Sequence, residues 1–132
     1  MAGEYFTMNR HELREKAMIT VYQYLLVERN IDELIEDTFE APKAEIDPYF
    51  IEVIEQSISN IDRYQSYIDK VLVDWKFDRL GKIEQAILLN GCSEFDLKKT
   101  EAAVIIDESV QLAKKYCDAD TYKLINSVLD VI

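Results

Sequence analysis

The chain has 132 residues, enough for one domain that buries roughly two-thirds of its unfolded surface. A hydrophobic content of 48% with only three Gly and two Pro excludes a linker-rich or disordered polypeptide and predicts an ordered, helix-rich one. The net charge of -11 argues against a generally basic nucleic-acid binder, yet it is local: between Ile31 and Glu55 nine acids against Lys43 contribute -8, whereas residues 1–30 balance to zero. No run reaches the roughly 18 apolar residues of a membrane span, and the amino-terminal MAGEYFTMNRHELREK lacks a signal peptide's apolar segment, so a cytoplasmic protein is expected.

The first helix is predicted from about Asn9 to Val27, with Leu13, Ala17, Val21 and Leu25 at four-residue steps and Met18, Tyr22 and Leu26 alongside. Its opening turns carry Arg10, Arg14 and Lys16, cations at the helix end that favours anions; a bound phosphate would reverse that mismatch. Asn30 and Glu33 form a capping box for a short helix through Phe39, and Asp47-Pro48 opens the next, with Phe50, Ile54, Ile58 and Ile61 as its core stripe. Tyr67, Ile68, Val71, Leu72 and Trp75 predict a further helix. The stretch Trp75 to Leu88 reads as the central one, with Leu80, Ile83, Ala86, Ile87 and Leu88 at helical spacing and Leu89 widening the apolar face.

Ser93 to Thr100 reads as a polar loop pinned by Phe95 and Leu97, with Thr100 as the cap of a helix over about Glu101 to Tyr116. That helix carries Ile106, Val110, Ala113 and Cys117 on one stripe and Ile105, Ser109, Leu112 and Tyr116 beside it. Asp118 to Thr121 then caps a last helix whose apolar positions are Leu124, Ile125, Val128, Leu129 and Ile132. The result is an all-α chain of about seven helices with no strand pattern.

Little in the sequence supports catalysis. Cys92 and Cys117 stand apart without metal-ligand spacing, His11 is the only histidine, and Gly3, Gly81 and Gly91 are too scattered to cradle a phosphate. Asp107 and Glu108 are adjacent in a helix and point about 100° apart, so they form no acid dyad. No enzyme activity, cofactor or metal is expected.

Three blocks carry a resemblance. Arg10, Arg14, Ala17 and Tyr22 lie near the start; Trp75, Asp78-Arg79-Leu80, Ile83 and Ala86-Ile87-Leu88 in the middle; and Ile106-Asp107-Glu108-Ser109-Val110, Leu112-Ala113-Lys114-Lys115-Tyr116, Asn126 and Val128-Leu129-Asp130 towards the end. Together they resemble the NusB family of transcription antitermination factors over nearly the whole length. The resemblance implies two small three-helix subdomains built from about seven helices, in one RNA-binding domain over residues 1–132. It implies binding of boxA-type ribosomal RNA leader sequence together with NusE, a small-subunit ribosomal protein, in an antitermination complex on RNA polymerase.

Mapped residue by residue, the family's RNA contact at the start of the first helix falls on Arg10, His11 and Arg14, and the turn opening the last helix on Asp120, Tyr122 and Lys123. Tyr22 or Tyr122 would add base stacking. The expected protein-partner surface lies near Glu84 and Glu94, acids suited to a basic ribosomal protein. A homodimer is equally compatible, with Tyr64 and Tyr67 as surface groups. The other reading is an acidic helical interaction module that keeps the fold but has lost useful RNA affinity; Arg10 and Arg14, one turn apart on one helix face, discriminate the two.

Overall fold

The Asn9 side chain accepts a hydrogen bond from the Glu12 backbone N–H at 2.8 Å and caps α1 (Arg10–Val27). The computed structural model describes residues 8–132; residues 1–7, part of the segment read as lacking a signal peptide, lie outside the described residues. Asn30 caps α2 (Ile31–Phe39) in the same way, accepting from the Glu33 N–H at 3.1 Å. Asp47 caps α3 (Pro48–Ser59) through the Tyr49 N–H at 2.9 Å, with Pro48 in the first turn. The chain breaks at Asn60 and continues as α4 (Ile61–Val71). Then follow α5 (Lys82–Leu97), α6 (Ala102–Tyr116) and α7 (Thr121–Val131). These seven α-helices, with 3-10 turns at Lys43–Glu45 and Phe77–Arg79, are all the regular structure among the described residues. The chain is all-α, and among the described residues no helix is long and apolar enough to cross a membrane.

The hub is α5, which packs against α1, α3, α4, α6 and α7. Every residue from Gln85 to Glu94 is buried, because neighbours surround this helix and the usual solvent face is missing. On one side lie α1 and α3, with α2 on α1; on the other, α6 and α7 pair with each other. At Gly91 the Leu129 side chain of α7 packs on the helix backbone: a Cβ there would come within 2.9 Å of Leu129 Cδ2, so any larger residue would force that side chain to shift.

Five expectations about the fold need correction. The central helix does not begin at Trp75: α4 ends at Val71, Trp75 is 55% exposed, and α5 starts only after Gly81, whose N–H is capped by the Glu84 carboxylate at 2.8 Å. Nor is Ser93 to Thr100 a loop from its start. The helix runs on to Leu97, and Ser93 donates to the Val53 carbonyl at 2.8 Å. Thr100 is not the cap of α6, a position taken by Glu101; its hydroxyl meets that of Tyr49 at 2.9 Å. The buried stripe of α6 is Ile105, Ser109, Leu112 and Ala113, one step round from the stripe anticipated. Tyr64, expected at the surface, is fully buried and donates to Asp96 at 2.6 Å, so it offers nothing to a second copy.

Candidate nucleic-acid interface

The start of α1 brings together residues from four helices. Arg14 is buried, and its Nε and Nη2 donate to the two carboxylate oxygens of Glu94 on α5, both at 2.9 Å. Glu94 also accepts from the Tyr49 hydroxyl on α3 at 2.7 Å, and Glu108 of α6 approaches Arg14 Nη1 at 3.5 Å. Burial alone would lower the basicity of Arg14; the bonds to Glu94 and the charges of Glu94 and Glu108 outweigh it and hold the guanidinium more firmly protonated than usual. Burial pushes the Tyr49 hydroxyl up to about 12, with the Glu94 carboxylate adding to the effect, so at neutral pH it remains a donor.

This arrangement corrects two site assignments at once. Arg14, expected to meet RNA, and Glu94, expected to meet a protein partner, are interior groups that satisfy each other. The planar guanidinium and carboxylate form the paired geometry that makes such an interior pair tolerable.

Arg10 and His11 lie further out. The Arg10 side chain is 55% exposed and sits over the rings of Tyr49 and Phe50, at 5.1 and 5.2 Å from their centroids. Its ion-pair partner is Asp47, at the long distance of 4.0 Å. One member of the acidic stretch therefore lies beside the expected cationic site rather than on a remote face. His11 Nδ1 is 3.2 Å from Glu108 on α6.

The expected residues on α7 form a second group. Asp120 and Lys123 are exposed and pair at 3.4 Å, and half-buried Tyr122 lies beneath the Lys114 ammonium at 4.7 Å. Helix α6 connects the two groups: Glu108 holds His11, Lys115 and Tyr116 both reach Glu15 of α1, and Lys114 covers Tyr122. Lys115 and Tyr116 hold the Glu15 carboxyl below its usual range. Glu84 ties in from α5, its carboxylate 3.4 Å from the Thr121 hydroxyl; it is half-buried and engaged as a helix cap. Tyr22 packs half-buried against the core, which leaves only part of its ring for a base.

Tyr49, Glu108 and Lys114 were missed in the sequence. Lys114 had a signal, since Lys114 and Lys115 end α6 where a helix favours cations. Tyr49 and Glu108 had none, because their roles depend on contacts with α1.

Residues 11–132 match the model of the NusB family. The chain belongs to the NusB family. Its similar relatives include the "Transcription antitermination protein NusB" of Sulfurovum sp. (strain NBC37-1), 34% identical over 125 residues that cover 93% of this chain and 96% of the relative. The NusB of Bacillus subtilis (strain 168) is 30% identical, covering 95% of each chain. Among solved structures, a chain from "Crystal Structure of Antitermination Factors NusB and NusE in complex with dsRNA" superposes with a TM-score of 0.79 at 29% identity, covering 94% of this chain and 96% of that one. T. maritima NusB shares the fold, with a TM-score of 0.82 at 20% identity and coverage of 94% and 89%.

Proposed function

We propose that this chain is a non-catalytic antitermination factor that binds boxA-type ribosomal RNA leader sequence together with NusE. The observation that carries this reading is its end-to-end likeness to the chain solved with NusE and double-stranded RNA. The RNA face is formed by Arg10 and His11 at the start of α1 and by Asp120, Tyr122 and Lys123 at the start of α7, with Lys114 between them. Arg14 supports this face from inside. NusE docks against the second half of the chain, where Glu84 is the member of the expected acidic pair that reaches the surface, and the pair joins the antitermination complex on RNA polymerase. The free protein is a monomer or a homodimer within the same scheme.

Few cations lie on this face, so RNA affinity of the protein alone is low. Arg10, Lys114 and Lys123 neutralise about three phosphates, and NusE supplies the remainder in one continuous interface. Titration of a labelled boxA-type RNA, with and without NusE, tests this reading. Weak binding by the protein alone and much tighter binding with NusE is the expected result. An RNA that stays free at micromolar concentrations of both proteins in low salt overturns it.

A further inference from the structure

Tyr49 lies outside both groups of residues to which RNA binding is assigned, yet it touches the exposed arginine of one and the buried ion pair beneath it. Its hydroxyl is fixed at two points, 2.7 Å from Glu94 and 2.9 Å from Thr100. Its ring stands edge-on to Phe50, at 5.1 Å between centroids and 79° between planes. Phe50 is fully buried, and Arg14 approaches its ring at 5.5 Å. Tyr49 is therefore held by its hydroxyl and by its edge, and the guanidinium of Arg10 rests over its ring. Among the described residues Arg10 makes no hydrogen bond, and its long contact to Asp47 does not fix its orientation.

We propose that Tyr49 is a positioning residue for RNA binding, its anchored ring serving as a platform that presents the Arg10 guanidinium to a phosphate. The inference rests on the reading of the α1 start as an RNA contact. A free arginine side chain loses rotamer freedom when it binds, and stacking on a fixed ring removes part of that loss before the RNA arrives. A guanidinium held over the ring keeps the N–H donors that point away from it available to a phosphate. The ring adds its own attraction for the cation. The platform lies at the amino-terminal end of α3 because Asp47 and Pro48 begin that helix there, and it faces α1 because Glu94 reaches both Arg14 and Tyr49.

A double-mutant cycle with labelled boxA-type RNA in the presence of NusE tests this. Tyr49→Leu should weaken binding on the order of 3- to 10-fold when Arg10 is present and leave it unchanged in an Arg10→Ala background. Tyr49→Phe keeps the ring and its edge contact with Phe50 but loses the hydroxyl anchor, and should bind more tightly than Tyr49→Leu and no better than the native protein. Arg10→Lys keeps the charge at an exposed position, loses the planar stack, and should weaken binding by a similar factor. Equal losses from Tyr49→Leu in both backgrounds, a Tyr49→Phe variant as weak as Tyr49→Leu, or native affinity in Arg10→Lys would each overturn the proposal while leaving the α1 contact standing. If Arg10→Ala itself binds RNA undiminished, the α1 contact and the platform fall together, whereas loss of NusE-dependent RNA binding by the native protein would remove the functional reading.

Discussion

Arg14 and Glu94, 80 positions apart in the chain, meet inside the protein through two hydrogen bonds of 2.9 Å. The pair joins α1 to α5, and the Tyr49 hydroxyl and Glu108 extend it to α3 and α6. Removing one partner leaves a buried charge without compensation. Arg14→Ala and Glu94→Ala should each cost about 3 to 5 kcal/mol, and the double variant clearly less than their sum. Urea unfolding of the four proteins measures the coupling; additive losses would show that the two groups act independently. Arg14→Glu would place a third carboxylate beside Glu94 and Glu108, so loss of RNA binding in such a variant would report unfolding rather than a lost contact.

The outward cations make a separate prediction about salt. With Arg10, Lys114 and Lys123 as the phosphate contacts of the free protein, log affinity against log salt should have a slope of about -2.1 on single-stranded RNA. Arg10→Ala and Lys123→Ala should each make the slope shallower by about 0.7 without lowering the melting temperature. A slope that neither substitution alters would place the phosphates elsewhere.

Alkaline pH should destabilise the fold. Burial pushes the Cys92 thiol from an ordinary 9.0 up to about 12 and the Tyr49 hydroxyl from 10.0 up to about 12. Above pH 9 the unfolded chain therefore releases protons that the folded one keeps. The unfolded state then binds fewer protons, so stability declines as pH rises. The contribution from Cys92 is fully present below pH 9 and is lost as pH approaches 12, on the order of 2 to 4 kcal/mol. Denaturation at stepped pH should show this decline, and Cys92→Ala should flatten it. Half-buried Cys117, raised less, to about 11, should react with a thiol reagent before Cys92.

Helix ends offer a route to higher stability. Glu28 and Glu40 end α1 and α2 at φ of 49° and 54°, in the left-handed region where a side chain is strained and glycine is not. Both are exposed, and their carboxylates have little to lose: Lys16 approaches Glu40 only at 3.9 Å. Glu28→Gly and Glu40→Gly should each raise stability by about 0.5 to 1 kcal/mol. Thermal melts decide the point, and a fall in both would show that the carboxylates contribute more than the strain costs.

Local chemistry was legible in the sequence at most helix ends, with Thr100, drawn away to the Tyr49 hydroxyl, as an exception. The helix start near Asn9, the caps at Asn30 and Asp47, the breaks near Ala41 and Asp118, and the apolar spacing around Ile87 depend on residues within one or two turns, so they carry through to the structure. The family resemblance was legible for the same reason, being written in ordered blocks along the chain. The partners of polar side chains were decided only by tertiary structure. Ser93, Glu94 and Arg14 look like surface residues in sequence because burying them alone is costly. They are interior because a carbonyl on α3 and a charge on the opposing helix offset that cost. Trp75 shows the converse: an aromatic residue that continues an apolar spacing but lies exposed, since the chain leaves its helix at Val71 and reaches the core again at Phe77. Which arginine at the start of α1 faces solvent was therefore a question of three-dimensional pairing. One turn of helix separates Arg10 from Arg14, and the position of a single carboxylate on α5 gives them different surroundings.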